Sequence, residues 1–228
     1  MSKILAASSW SSGKDSCFAC YKAIKNGYDV KYLLNFVSRE FKRVSFHGVW
    51  HELVKLQANA TGITLLQKSV KAGEYEKTFR EALRDLKSKG IFTLVAGDIF
   101  LLDCRNWLEK ICEEEGLKVV EPLWELPSEQ ILNDFIKAGF KSIVTATQAK
   151  LLDQSWIGRF IDEDFIRNLK KVKGIDLCGE NGEYHTFVFD APFFRQKIEI
   201  TRKEKIRRDN YNFLDIQEYK LAKKELLK

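Results

Sequence analysis

The sequence predicts an α/β fold, a doubly wound and mostly parallel sheet followed by a second, smaller α+β domain. Two observations carry this prediction. Through the first half of the 228 residues, short apolar runs alternate with amphipathic segments of helical length, and this alternation indicates parallel strands with helices on both faces. The alternation then stops around Pro122 and Pro127, where two prolines close together indicate a break between domains.

Five strands and four helices are predicted before that break. The strands are apolar runs that are too short for helices, and they cover residues 4–7, 30–37, 63–67, 91–96 and 117–120. The helices have apolar residues at helical spacing, and Gly62 and Gly90 end two of them. They run onward from Ser16, over 49–60, over 74–89, and from Gly97-Asp98 through Glu115.

The second half of the chain does not continue the regular alternation of strands and helices. Helices are expected at 128–138 and 162–171, and strands at 142–145, 184–189 and 197–201. The C-terminal segment is expected to be helical near its end. The predicted domains are therefore residues 1–122 and residues 123–228.

The composition restricts the class of protein. No apolar run reaches 18 residues and no basic-then-apolar leader opens the chain, which predicts a soluble cytoplasmic protein without membrane contact. The net charge is +6, and the basic runs at 202–208 and after Lys220 are expected to be solvated faces. None of the usual RNA-binding signatures is present, which disfavours nucleic acid. A homodimer is compatible with the sequence.

The five cysteines are an odd number, which argues against a disulfide framework. Cys17 and Cys20 form a C-x-x-C on the first predicted helix. Because there is no second such pair and no thioredoxin-like context, we expect both to be small buried hydrophobic residues.

Residues 11–16, with the sequence Ser-Ser-Gly-Lys-Asp-Ser, follow the first strand and open the first helix. A small-residue turn at a helix N-terminus directs backbone N–H groups and the helix dipole to one point, which favours phosphate. The motif is not a Walker loop, because Ser8 and Asp15 stand where that loop needs Gly and Ser or Thr. The dinucleotide fingerprint is absent as well. The alternative is an ordinary turn with a helix N-cap.

A second polar cluster, residues 178–188, surrounds Gly179 and Gly182. Its carboxylates, amide, imidazole and hydroxyl groups suit the binding of a polar substrate or acid–base chemistry. Taken alone, the cluster is equally well explained as a polar turn that enters a strand. Together with a phosphate loop, it is expected to be the acceptor half of an active site.

Five motifs occur in the order of one known family: residues 11–16, Gly97-Asp98-Ile99, Pro122-Leu123-Trp124, residues 156–159 (Trp-Ile-Gly-Arg) and residues 179–188. On these motifs the chain resembles the diphthine–ammonia ligase family of PP-loop ATP pyrophosphatases over nearly its whole length. The resemblance implies a HUP or PP-loop type of fold, adenine nucleotide alpha hydrolase-like, with an ATP-binding domain before an acceptor-substrate domain. The late motif is more specific than the loop.

The resemblance also implies an activity, that of an AMP-forming carboxylate–ammonia ligase. In this family a substrate carboxylate attacks the α-phosphate of ATP, pyrophosphate leaves, and ammonia converts the acyl-adenylate to an amide. The implied partners are ATP, ammonia and elongation factor 2, whose diphthine carries the carboxylate.

Roles for individual residues follow from the same resemblance. ATP is expected at Ser11, Ser12, Gly13, Lys14, Asp15, Ser16, Gly97 and Asp98. The expected catalytic residues are Lys14, Asp15 and Glu183, with Lys14 neutralising phosphate charge and Asp15 holding Mg²⁺. A helix N-cap is an equal alternative for Asp98. The acceptor is expected at Glu180, Asn181, Glu183, Tyr184, His185 and Thr186.

The chain departs from the family in the late motif. The ligase pattern resembles E-G-G-E-[FY]-E-T, whereas here Asn181 and His185 replace a Gly and a carboxylate. Another acceptor, such as a cobamide-related acid, is therefore an alternative. Two further alternatives are a tRNA-modifying enzyme with the same loop and a non-enzymatic nucleotide sensor. The segment around His47 also differs from the family, and a structural or surface histidine is the favoured interpretation there.

Overall fold

The computed structural model describes residues 3–44 and 49–224. Contacts among residues divide the chain into two compact units. The first unit comprises Met1–Ser11, Asp15–Phe46 and Ile63–Glu125, and the second unit comprises Ser12–Lys14, His47–Gly62 and Leu126–Lys228. Each unit therefore contains several stretches of chain, and the predicted boundary after Pro122 stays a prediction.

The first unit is built on a parallel sheet of five strands in the order β3-β2-β1-β4-β5. The strands are β1 (Ile4–Ser9), β2 (Tyr28–Ser38), β3 (Thr64–Val70), β4 (Thr93–Val95) and β5 (Lys118–Val120). The helices that connect them are α1 (Lys14–Lys25), α2 (His51–Thr61), α3 (Tyr75–Ser88) and α4 (Leu102–Glu115). Helix α2 is grouped with the second unit. The predicted α/β class is confirmed.

Apolar periodicity explains how α3 packs in the first unit. Phe79, Ala82, Leu83 and Leu86 are buried, and their spacing of three and four residues places them on one face of the helix. The ring of Phe79 lies 5.2 Å from that of Trp107 on α4, a distance at which aromatic pairs stabilise beyond simple burial. The core of this unit thus combines residues of the sheet, α3 and α4.

The second unit contains an antiparallel sheet of four strands in the order β7-β6-β9-β8. The strands are β6 (Lys141–Gln148), β7 (Tyr184–Asp190), β8 (Lys197–Arg208) and β9 (Tyr211–Ala222). They are accompanied by α5 (Ser128–Lys137), α6 (Glu163–Leu169) and one 3-10 turn at Gln154–Trp156. Among the described residues, no helix is both long and apolar enough to cross a membrane.

The prediction of a helix near the C-terminus is wrong, because β8 and β9 form a long hairpin there. Asn212, Leu214 and Ile216 are buried and alternate with more exposed residues, a period of two that is typical of a strand. Asp209 in the turn has a φ of 50°, which aspartate tolerates better than most residues. The exposed positions carry many Lys and Glu residues, a composition that is also typical of a charged helix. The period of two residues was therefore not recognised in the sequence.

Candidate active site

The loop after β1 is closed by hydrogen bonds between its two ends. The backbone N–H of Ser11 donates to Ser16 Oγ at 3.2 Å, and the two hydroxyl oxygens lie 3.1 Å apart. Helix α1 begins at Lys14, two residues earlier than predicted, so Asp15 and Ser16 lie in its first turn. The first N–H groups of a helix have no partner within the helix. This segment therefore has the geometry that binds anions at helix N-termini.

Ser12 has an unfavourable backbone conformation for a residue with a side chain. Its φ is 76°, in the left-handed region that favours glycine. Its carbonyl oxygen accepts from the Val188 N–H at 3.0 Å and from Gln57 Nε2 at 3.0 Å, so the backbone is held in place. The side chain is fully buried and Ser12 Oγ has no hydrogen-bond partner. Tertiary contacts thus impose a conformation that serine does not prefer.

We expect Ser12→Gly to raise the free energy of unfolding by about 1 kcal/mol. The change removes a left-handed penalty of about 1–2 kcal/mol and a buried unpaired hydroxyl, and these gains are partly offset by the greater freedom of glycine in the unfolded chain. Urea denaturation measures the difference. Ser9→Gly at the end of β1 is the control and should destabilise, and an unchanged or lower stability for Ser12→Gly would contradict the prediction.

Gly97 lies against the backbone at the start of α1. A Cβ atom at this position would lie 2.8 Å from the carbonyl carbon of Asp15 and 2.9 Å from the backbone nitrogen of Ser16. Real Cβ atoms do not approach the backbone this closely, so only glycine fits. The turn after β4 is therefore in direct contact with the first turn of α1, as expected for residues assigned to one nucleotide site.

Asp98 follows Gly97 and lies beside a second carboxylate. Its pKa is raised by burial and also by the negative charge of Asp15. The alternative interpretation of Asp98 as a helix N-cap is wrong, because α4 begins only at Leu102 and its N-cap residue is Leu101. The carboxylate is thus free of a capping role, which leaves the predicted nucleotide contact as the interpretation to test.

Glu121 was missed by the sequence analysis. It directly follows β5, and its side chain is only 5% exposed, with Oε2 at 3.1 Å from Arg105 Nε. The other oxygen is buried without a hydrogen-bond partner. Burial, and after it the charge of Asp98, raises the pKa of Glu121 to about 7. The position at the carboxyl end of a parallel strand is the signal that would have found it, because ligands bind beyond that edge.

A cavity of about 500 Å³ opens at the same edge of the sheet. It is formed by the residues that follow β2 and β3, and Arg39, Lys71 and Tyr75 give it two cations and an aromatic ring. Burial, and after it the charge of Asp98, raises the pKa of Tyr75 to about 12, which indicates that Tyr75 lies near the Asp98 carboxylate. The volume lies in the range of small-molecule sites. Its full lining is Ser38, Arg39, Glu40, Phe41, Val70, Lys71, Ala72, Gly73 and Tyr75.

Two carboxylates of the first unit suit Mg²⁺ that is also bound by substrate phosphates. Among the described residues, no group of three or more His, Cys, Asp or Glu side chains is arranged to hold a metal ion. Mg²⁺, however, is usually held by one or two carboxylates together with substrate phosphates. Asp15 and Asp98, which influence each other electrostatically, provide such a pair beside the helix N-terminus.

In the second unit, Lys14 is buried in the late motif. Its backbone N–H donates to Thr186 Oγ1 at 3.0 Å, and its ammonium group donates to the carbonyl oxygen of Cys178. The ammonium also lies 5.0 Å from the centre of the Tyr184 ring, within the range of a cation–π interaction. The structure thus brings together Lys14 of the loop with two residues predicted to bind the acceptor.

Glu183 stabilises the loop that precedes β7. Its Oε1 accepts from the backbone N–H of Asp176 at 2.9 Å and from Asn181 Nδ2 at 3.1 Å. Asp176 in turn accepts from the backbone N–H of Glu180 at 3.0 Å, which is a role that the sequence analysis did not assign. Glu183 Oε2 is buried without a hydrogen-bond partner. One oxygen therefore shapes the loop, and the other is available for the chemistry that was predicted.

His185 is neutral at physiological pH. Burial, and after it the charge of Lys14, lowers its pKa to about 4, although Glu183 acts in the opposite direction. A neutral imidazole offers one donor and one acceptor, whereas the carboxylate that the family pattern has at this position is an acceptor with a negative charge. The replacement therefore removes a charge from the late motif.

We expect His185 to make the fold less stable as the pH falls from about 6.5 to about 4. In that window the unfolded chain binds the proton and the folded chain does not, so the free energy of unfolding decreases by up to about 3 kcal/mol. Glu121 contributes the opposite slope between pH 4.5 and 7, so the measured quantity is the difference between the protein and His185→Gln. Identical pH profiles for the two would contradict the low pKa.

Two other sequence predictions concern cysteine and histidine. Cys17 and Cys20 are fully buried, which confirms them as buried residues. Burial raises the pKa of Cys20 to about 12 and that of Cys17 as well, so neither thiol is activated. His47 lies outside the described residues.

A doubly wound parallel sheet, with a small-residue loop between β1 and α1, defines a class of α/β proteins that bind phosphate groups beyond the carboxyl ends of their strands. Family models identify the particular member of this class. The diphthamide synthase N-terminal domain matches residues 4–119, and the diphthamide synthase C-terminal domain matches residues 127–222. The chain therefore belongs to the diphthamide synthase family.

Individual relatives agree with this assignment. The diphthine–ammonia ligase of Mus musculus is 26% identical, and the match covers 95% of this chain and 90% of that protein. The diphthine–ammonia ligase of Schizosaccharomyces pombe is 28% identical and matches 85% of this chain, but the match is only 36% of that longer protein. A solved structure, a predicted subunit of tRNA methyltransferase from Methanocaldococcus jannaschii, matches 84% of this chain and 98% of its own, with 16% identity and a TM-score of 0.45. At that score it bears on no conclusion.

Proposed function

We propose that this protein is an ATP-dependent ligase of the diphthamide pathway, which adenylates a carboxylate and transfers ammonia to it. The observation that carries the proposal is the closed loop between β1 and α1 in a chain of the diphthamide synthase family. The named relatives are diphthine–ammonia ligases, so the acceptor proposed first is the diphthine carboxylate of elongation factor 2.

The phosphates of ATP would bind at the loop. Backbone N–H groups of residues 12, 13, 15 and 16 and the hydroxyl groups of Ser11 and Ser16 supply donors, and the dipole of α1 favours the negative charge. Gly97 leaves room for this turn, as its backbone contact with Asp15 requires. Mg²⁺, when bound, would neutralise charge on the pyrophosphate leaving group, and Asp15 and Asp98 are the residues that would hold it.

The nucleoside would occupy the cavity beyond β2 and β3. Its volume of about 500 Å³ and its lining by Tyr75, Arg39 and Lys71 suit a planar base linked to phosphate. The cavity opens at the same edge of the sheet as the loop, since the strands are parallel. Substitution of Tyr75 should therefore weaken ATP binding more than it changes the rate at saturating ATP.

The reaction would proceed in two displacements. An oxygen of the acceptor carboxylate attacks the α-phosphorus of ATP, and the bond to the pyrophosphate oxygen breaks. The nitrogen of ammonia then attacks the acyl carbon, AMP leaves with the bonding electrons, and the nitrogen loses a proton to a base. Glu183 Oε2, which is buried and unpaired, is the proposed base in the late motif.

A second acceptor class is favoured by one observation, the neutral His185 where the family pattern has a carboxylate. A site that has lost a negative charge would suit a more anionic acceptor, such as a cobamide-related acid, and the ATP chemistry would be the same. The tRNA-thiolation alternative is weakened, because Cys17 and Cys20 are buried and have raised pKa values. A nucleotide sensor would bind ATP without releasing pyrophosphate.

The test is incubation of the protein with ATP, Mg²⁺, ammonium and elongation factor 2 that carries diphthine, followed by mass spectrometry of the factor. Conversion of the carboxylate to an amide replaces a hydroxyl by an amino group, so the factor should become slightly lighter, and one pyrophosphate should be released for each amide. An unchanged factor, with pyrophosphate released on another acid, would move the protein to the second class. Tight ATP binding without pyrophosphate release would favour the sensor.

A further inference from the structure

The β8–β9 hairpin presents a row of cations on one face. Lys203, Lys205 and Arg207 are paired across the hairpin with Ile216, Leu214 and Asn212 respectively. These three partners are buried, and residues directly opposite each other in an antiparallel pair share a face. The three cations therefore lie on the same face, and each is exposed. Successive members are two residues apart, or about 7 Å along the strand.

This row is not neutralised by ion pairs. Among the described residues, Lys203, Lys205 and Arg207 form no salt bridge, and the nearby Asp153 carboxylate is shared electrostatically between Lys205 and Arg159. By contrast, Arg202 next to the row forms a salt bridge with Glu218 at 3.0 Å. Three positive charges less the Asp153 carboxylate leave the cationic face with a net charge of +2.

An exposed aromatic residue lies beside the row. Phe160 is 51% exposed, and the ammonium of Lys203 lies 5.7 Å from the centre of its ring. The ring of Phe189 lies 5.6 Å away, inclined by 53°. An exposed aromatic ring beside a row of cations resembles the anatomy of a protein interface, with an aromatic centre and a polar rim.

The same contacts decide between two kinds of anionic partner. Binding of single-stranded nucleic acid relies on aromatic faces on which bases stack. The ring of Phe160 is already in contact with Lys203 and Phe189, which leaves it poorly placed as a stacking platform. An acidic protein surface needs only the cationic rim and the exposed edge of the ring.

We propose that the face formed by Lys203, Lys205, Arg207 and Phe160 docks an acidic surface of the protein that carries the acceptor carboxylate. This inference rests on the proposed function, because it requires the substrate to be a protein. Charge complementarity of this kind accelerates association and orients the partner. The hairpin thereby holds the large substrate, while the residues of the late motif contact only the modified side chain.

The experiment compares two triple variants that change the net charge equally. Lys203→Glu, Lys205→Glu and Arg207→Glu reverse the docking face, whereas Lys137→Glu, Lys141→Glu and Lys173→Glu reverse three exposed lysines elsewhere in the same unit. Titration of each protein with elongation factor 2 should show a dissociation constant about 10- to 100-fold higher for the first variant only. The KM for ATP should be unchanged, and the salt dependence of binding should become weaker.

Several results would overturn the docking face. One is equal binding of the factor by both triple variants, and another is no binding of the factor by the unaltered protein. The third is a docking-face variant that loses binding to a single-stranded RNA but still binds the factor. A milder variant with Lys203→Gln, Lys205→Gln and Arg207→Gln guards against misfolding, and thermal unfolding checks each protein. Binding is measured without turnover. An absence of amidation would therefore count against the proposed function, while the comparison of dissociation constants would still test the docking face.

Discussion

Asp15→Asn is expected to lower the rate of pyrophosphate release from ATP by about 100- to 1,000-fold, the effect of removing one preorganised electrostatic group from an active site. The substitution keeps the shape of the side chain and removes its charge. Without that charge the protein would lose the carboxylate that is proposed to hold Mg²⁺ against the departing pyrophosphate. The rate is measured with saturating ATP, ammonium and acceptor, over a series of Mg²⁺ concentrations.

The matched control is Asp103→Asn. Asp103 and Asp15 both lie in the first turn of a helix, so both substitutions remove a favourable interaction with a helix dipole, worth about 0.3–1 kcal/mol. Asp103 is exposed and belongs to none of the predicted motifs. Its variant should therefore lose a similar amount of stability and almost no activity. If the two variants were equally active, the loop would not carry the chemistry assigned to it.

The second large effect is expected for Gly97→Ala, which should destabilise the fold by about 3 kcal/mol and abolish activity together. The new methyl group would lie 2.8 Å from the Asp15 carbonyl carbon, and the atoms it meets belong to a helix backbone that cannot turn aside as a side chain can. Insertion of a methyl group into such a contact costs about 1–3 kcal/mol or more, and it displaces the first turn of α1. Urea denaturation and the pyrophosphate assay measure the two losses.

Gly27→Ala separates crowding from backbone strain. Gly27 has a φ of 90° and nothing within 4 Å of the added Cβ atom. Gly27→Ala should therefore destabilise the fold only by the left-handed penalty, which is about 1 kcal/mol or somewhat more. A Gly97→Ala protein as stable as Gly27→Ala would mean that α1 can move away from β4. In that case the close approach of the two backbones would not be essential to the loop.

The fold was largely predictable because its first unit follows simple rules. Alternating apolar runs and amphipathic segments define a parallel sheet, and Gly62 indeed ends α2 in a left-handed conformation, with a φ of 73°. The C-terminal hairpin was not predictable in the same way. Its buried positions, such as Asn212, are partly polar, and its exposed positions carry the charges that also mark solvated helices.

The candidate site was predictable in its motifs and not in its internal contacts. The positions of residues 11–16 and 97–98 follow from the strand–turn–helix pattern. That Asp176 organises the late loop, or that Glu121 lies near Asp98, depends on which strands are neighbours in the sheet. The pairing of β4 with β1 and β5 is a property of the tertiary structure, which a single sequence does not show directly.

The position of β8 has a further consequence for the behaviour of the protein in solution. β8 is the last strand of its sheet, and an open edge strand invites pairing with another copy of the chain, which leads to aggregation. Lys203, Lys205 and Arg207 place like charges along this edge, so two copies that approach through β8 would repel each other. Removal of these charges should therefore lower the solubility limit of the protein, and variants of the hairpin are best handled at low concentration.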